Sequence, residues 1–433
     1  MTNSVPNPPP EPSRPPRVPF PSLHPGERLR GSGILEELSW RHGPLLWESY
    51  RNVGDWAIRP KSKRAGHMFG VGAARRRTEQ LDRACWSSGD ADLRDALEVI
   101  RDLLAQPRRM EEQTVAAACR QISAWAGEQG ALATQFYFAA AAGLCTPQDA
   151  GQAYYAGKLA RDIAKWDAAE VWLEHAMTTA RRQKDRETQG MALLGMGRMY
   201  YLQGDYRKAK EVYAAGLALA HKHHLSQIEG YACHELFILL VEDHSFSRAE
   251  EYAHRAATAY GPGNARVKDL GHDVAFSWLA RGYAVRALRV LNALLPLLQE
   301  PQRRIHVLAS VGHAAAICGD RNRFQQVWNE TWALAETPSA GRRAAPALLE
   351  LALGAVCLKE YAFAEQATKA SLKRAQDRGE MDLIARAEEL LARIRNQDFA
   401  QDHPDSVGRA RDEKAADDLA EALVRSLNGV AAE

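Results

Sequence analysis

Three histidines stand in the stretch HKHH, His221 to His224. Imidazoles bind transition metals, but a site also needs carboxylate or thiolate partners at helical spacing, and none stands there. At a helix end these cations suit the negative pole of the helix dipole instead. His272–Asp273 holds the His-Asp dipeptide of metal phosphohydrolases without the rest of that pattern. His234–Glu235 lacks the second His of a zinc-protease helix, and FGVG at Phe69–Gly72 has neither a preceding strand nor a third Gly for a dinucleotide turn. No phosphate-cradling G-x-x-x-x-G-K-[ST] loop and no G-x-S-x-G elbow occurs. No catalytic residue, cofactor or metal is therefore assigned, and an enzyme with an unrecognised site is the last of the functional readings. The six cysteines, Cys85, Cys119, Cys145, Cys233, Cys318 and Cys357, form no Cys-x-x-Cys pair and sit in apolar helical patterns. Buried, reduced thiols in a cytoplasm are expected.

The elements around these residues are helical. Hydrophobic residues make up 46% of the 433 and charged residues 25%, as in folded soluble proteins. Net charge is +2 and selects no partner. Residues 1–77, however, carry 13 Lys/Arg against 6 Asp/Glu, a net of +7, which leaves −5 for the remainder. The most apolar run, ALRVLNALLPLLQ, includes Arg, Asn and Pro and falls short of the ~20 apolar residues that span a bilayer. No membrane association is expected, and the N-terminus has no apolar signal core.

Four segments follow. Residues 1–29 read as a disordered Pro-rich tail, either a linker or a polyproline ligand. Residues 30–77 read as short helices containing Trp40, Trp47 and Trp56, followed by RPKSKRAGHMFGVGAARRR, a basic stretch whose Gly66, Gly70 and Gly72 predict a mobile loop. There Lys61, Lys63, Arg64, Arg75, Arg76 and Arg77, with His67 and Phe69 nearby, could meet nucleic-acid phosphates, although no helix-turn-helix is legible. Residues 78–396 read as helix throughout, with apolar side chains three and four apart. Residues 397–433 read as a flexible polar tail, with Ala415–Asn428 as a short amphipathic helix, self-docking or partner-binding.

The long helical segment repeats. Shifts of 40 residues superpose Trp166, Tyr206 and Phe246, then Ala169, Ala209 and Ala249 three positions later, then Leu173, Tyr213 and Ala253. Tyr361 with Ala364, Ala287 with Leu291, Phe324 with Trp328, and Gly130 with Ala139 extend the skeleton to seven units between about 116 and 379, spaced by roughly 34 to 40 residues. Such a period signals stacked helix pairs. The aromatic wedges between helices, and the small residue lets two axes approach. Gln135 and Phe324 break the small column.

These columns resemble the tetratricopeptide repeat family, and the Ala- and Arg-rich composition suggests a bacterial source. The resemblance implies an all-α, right-handed α-solenoid of helix-turn-helix repeats, with Met381–Ile394 as its cap. It further implies a concave groove of first helices that holds a protein or peptide. By column that groove comprises Tyr154, Lys158 and Arg161; Leu194, Arg198 and Tyr201; Glu235 and Ile238; His272 and Phe276; His306 and His313. Its N-terminal half is cationic and aromatic, suited to an acidic peptide. None of these helices has the Asn that the family's carboxylate clamp requires. A non-enzymatic cytoplasmic scaffold is the first reading. A repeat-built signalling regulator that uses the basic N-terminal region is the second.

Overall fold

The computed structural model describes residues 33–39, 42–64, 68–87, 91–378, 380–396 and 409–431. The Pro-rich tail, Trp40, Gly66 and His67 lie outside them. The described residues form α-helices and short 3-10 turns, with no strand among them. Helices α1 (Gly33–Glu37), α2 (Gly43–Ala57), α3 (Val71–Ser87) and α4 (Ala91–Ala105) lead the chain. Seven hairpins follow. They are α5 (Glu112–Glu128) with α6 (Leu132–Cys145), α7 (Ala150–Asp162) with α8 (Trp166–Gln183), and α9 (Arg186–Leu202) with α10 (Tyr206–His223). Then come α11 (Ser226–Glu242) with α12 (Phe246–Tyr260), α13 (Val267–Ala280) with α14 (Ala284–Leu294), α15 (Pro301–Ile317) with α16 (Arg321–Ala335), and α17 (Ala344–Cys357) with α18 (Tyr361–Arg378). Helices α19 (Met381–Asn396) and α20 (Arg409–Ala431) end the chain.

All seven hairpins turn in the same way. The residue five before each small-column position is left-handed: Gly130, Ala164, Gly204, His244, Gly282, Gly319 and Lys359, with φ between 53° and 81°. The following amide then reaches back five residues to a carbonyl at 2.8–2.9 Å, as from Lys165 to Ala160, Asp205 to Tyr200, Ser245 to Leu240 and Glu360 to Ala355. This bond satisfies a carbonyl that the helix end would leave open. The turns at Trp166, Tyr206 and Phe246 are thus structurally equivalent. Beyond them Ala169, Ala209, Ala249 and Ala364 are all but completely buried.

Where the small column is broken, a glycine opposite makes room. A Cβ on Gly127 would lie 2.6 Å from Gln135 Nε2, and one on Gly354 would lie 3.0 Å from Phe324 Cε2. Large and small have exchanged sides, which keeps the interior filled.

The chain divides into two compact units, residues 1–228 and 229–433. Within the first, α6 packs on α7 and α8 on α9, so the hairpins stack in series. The leading helices join the same core: Tyr50 lies 5.0 Å from Tyr137 ring to ring, and the Trp56 indole donates to the Pro107 carbonyl at 2.8 Å. Glu37 caps α6 by accepting from the amides of Ala133 and Thr134 at 2.8 and 3.0 Å. Two expectations are corrected here. The boundary set at residue 77 falls inside α3, and the glycine-containing basic stretch is helical from Val71 on.

Within the second unit, α15 packs on α17 and α18 on α19. The C-terminal segment departs from the expected flexible tail. Helix α20 has 23 residues and lies against α12, α13 and α14. Leu419, Ala420, Leu423 and Leu427 recur at i, i+1, i+4 and i+8 and are essentially inaccessible to water. Arg286 holds Asp417 at 2.7 Å on the same seam.

Candidate functional site

In the first unit, α7 and α9 lie side by side. Glycines set their spacing: a Cβ on Gly195 would come within 3.4 Å of Tyr154 Cε2 and 2.9 Å of Leu173 Cδ2. This close approach gathers Tyr154, Lys158, Arg161, Arg198 and Tyr201, all half-buried. The Arg198 guanidinium sits 4.9 Å over the Tyr201 ring, and Tyr201 meets Tyr206 at 5.5 Å. Arg161 pairs with Asp162 at 2.7 Å along the helix surface. The result is three cations and two tyrosines on two adjacent helices. Leu194 is not part of this face. It is 6% exposed and points into the hairpin, where Gly216 leaves space that its side chain fills at 3.1 Å.

In the second unit the same columns hold a different arrangement. Glu235 and Ile238 are half-buried and Phe276 is exposed. His272, His306 and His313 are half-buried and meet other side chains. His272 Nδ1 donates to Asp273 Oδ1 at 3.2 Å, while His234 Nε2 donates to Asp273 Oδ2 at 2.9 Å. Burial would raise the Asp273 carboxyl, but the hydrogen bonds from His234 and His272 hold it well below the usual carboxylate range. The His272 ring lies 4.6 Å from the His306 ring. Burial, then the nearby His272 and Arg343, depresses His306 to about 3, so it is neutral at physiological pH. His272 Nε2 and His306 Nδ1 are both buried without a hydrogen-bond partner.

Further along α15, His313 Nδ1 donates to Glu350 Oε1 at 2.7 Å. Burial opposes charge on both groups, yet contacts with Cys357 and Glu350 lift His313 to about 10. The His313 hydrogen bond lowers Glu350 against the effect of burial. The two form a buried ion pair. Among the described residues no cluster of three or more His, Cys, Asp or Glu could hold a metal ion.

The pairings of His234 with Asp273 and of His313 with Glu350 were not expected from sequence, and Cys357, expected buried, is exposed. A signal was present: His234 and Asp273 are 39 residues apart, and His313 and Glu350 37 apart. Both separations are one repeat, so the partners face each other on consecutive first helices.

The basic N-terminal residues are largely engaged. Arg64 does not face solvent as expected. It is 6% exposed, pairs with Glu112 at 2.8 Å and stacks 4.0 Å over the Trp56 ring. Lys61 reaches the same Glu112 at 2.8 Å. Arg75 pairs with Glu79 at 3.1 Å, and Arg77 donates to Asn52 Oδ1 at 2.6 Å. Lys63 and Arg76 are exposed.

No family model matches the chain, and no curated protein does. Among solved structures, a circular tandem repeat protein with novel repeat topology and enhanced subunit contact surfaces matches at 14% identity. The match covers 90% of this chain and 97% of that one, with a TM-score of 0.16. No common fold is defined at that score. The helical-repeat architecture rests on the seven equivalent turns. No described helix is long and apolar enough to cross a membrane.

Proposed function

We propose that the chain is a non-enzymatic, tetratricopeptide-type cytoplasmic scaffold that holds an acidic protein segment against α7 and α9. The observation that supports this is the gathering of Lys158, Arg161 and Arg198 with Tyr154 and Tyr201 on two helices brought together by Gly195. Half-buried cations form stronger charge-assisted hydrogen bonds with carboxylates than fully solvated ones do. The tyrosines supply flat apolar surface with a polar tip, a frequent composition at binding sites.

The regulator reading ranks below this one. Of its six cations, Lys61, Arg64, Arg75 and Arg77 already have protein partners. A phosphate backbone would have to compete with them.

The test is anisotropy of a fluorescein-labelled Glu-rich peptide titrated with the full chain. Binding should weaken about tenfold, or ~1.4 kcal/mol, in Lys158→Glu/Arg198→Glu, and it should weaken with added salt. Unchanged affinity in a folded double variant would refute the site.

A further inference from the structure

The last residue of α17 is a cysteine with a histidine beside it. Cys357 is exposed, whereas Cys85, Cys119, Cys145 and Cys233 are buried. Its Sγ lies 3.9 Å from His313 Nε2, and the opposite ring nitrogen of His313 is held by Glu350 at 2.7 Å. Thiol, imidazole and carboxylate thus follow in order.

The backbone builds this arrangement. Glu350, Gly354 and Cys357 lie at i, i+4 and i+7, on one face of α17. A Cβ on Gly354 would come 3.1 Å from the His313 Cα. The absence of that atom lets α15 approach, so the imidazole bridges Glu350 and Cys357. Arg321 of α16 donates to the Leu358 carbonyl at 3.0 Å and pairs with Glu360 just beyond the end of α17. His313 is held in its charged state by its two neighbours. The other charged or titratable groups acting on Glu350 are His306 of α15 and Arg386 of α19.

We propose that Cys357 is a reactive thiol that forms mixed disulfides with low-molecular-weight disulfides, with the His313 imidazolium stabilising its thiolate and Glu350 as the positioning residue. The thiol proton passes to water. The sulfur's electron pair then attacks one sulfur of R–S–S–R. A Cys357–S–S–R bond forms, the S–S bond of R–S–S–R breaks, and the departing thiolate takes a proton from water and leaves as RSH. The thiolate is the nucleophile in such exchange, and a neighbouring imidazolium favours it. This site lies in the second unit and is independent of the proposed peptide face.

Cys318 serves as an internal control. It is exposed too, but its thiol is pushed up by burial and by Asp320. The experiment treats the full chain with oxidised glutathione and follows each cysteine by peptide mass mapping. Cys357 should form its adduct at least about tenfold faster than Cys318 at pH 7, and His313→Gln should slow Cys357 about tenfold while leaving Cys318 unchanged. Glu350→Gln should slow Cys357 less than His313→Gln does. Should either variant fail to fold, the wild-type pH profile decides. Between pH 8 and 6 the Cys318 rate should fall roughly a hundredfold, following its thiolate fraction, and the Cys357 rate less than about tenfold. Equal rates at the two cysteines, or parallel pH profiles, would overturn the proposal.

Discussion

The first helices of the two units place ionisable residues in the same repeat columns, with opposite results. On α7 and α9, Lys158, Arg161 and Arg198 remain half-buried beside tyrosines. On α11 and α15, His234 and His313 each meet a carboxylate on the next first helix, Asp273 of α13 or Glu350 of α17. The second unit uses these positions to join its own hairpins, while in the first unit they set cations beside tyrosines on two adjacent helices.

This contrast predicts unequal costs. Glu350→Leu leaves His313 charged and buried alone, and should lower stability by about 3–5 kcal/mol. Lys158→Leu in the first unit should change it by less than about 0.5 kcal/mol. Urea unfolding midpoints compare the two, and equal effects would break the contrast.

Titration sharpens it further. His313 is raised from 6.5 to about 10, so its contribution is complete below pH 6.5 and is lost as pH rises through 10. Glu350 is lowered, so its contribution is present above its ordinary range and is lost as pH falls. His306 is lowered from 6.5 to about 3. The unfolded chain takes up that proton first, and stability falls as pH drops below 6.5. From pH 6.5 to 5 the second unit should lose about 1–2 kcal/mol through His306. His306→Phe should remove most of that loss, as judged by hydrogen exchange of its peptides across this pH range.

The smallest effect concerns what the units share. The left-handed turn is occupied by Ala164 in the first unit and by His244 and Lys359 in the second. A side chain there costs about 1–2 kcal/mol, partly offset by the greater entropy glycine loses on folding. Ala164→Gly and His244→Gly should each raise stability by roughly 0.5 kcal/mol. Gly204→Ala should lower it, and melting temperatures check all three.

The repeat itself was legible because turn and small-residue columns recur with little drift from Gly130 to Ala364. Their exceptions were legible only in part. Gln135 and Phe324 stood out as misfits, but the glycines that admit them, Gly127 and Gly354, lie on facing helices and not in the same column. The cationic residues of α7 and α9 could be placed because helical spacing alone puts them on one face. Leu194 shares that spacing, yet Gly216 opens room for it inside. The histidine pairs required reading across one repeat rather than along one helix. Arg64 looked solvated because its partner Glu112 is 48 residues away. The leucines of α20 formed a visible stripe, but its seat on α12, α13 and α14 is set by tertiary packing.

The most direct measurement is hydrogen exchange of the full chain with and without a saturating Glu-rich peptide. Slower exchange confined to α7 and α9, and abolished in Lys158→Glu/Arg198→Glu, is the predicted result. Protection centred on α13, α15 and α17, with α7 and α9 unchanged, would contradict the assignment of the binding face to the first unit.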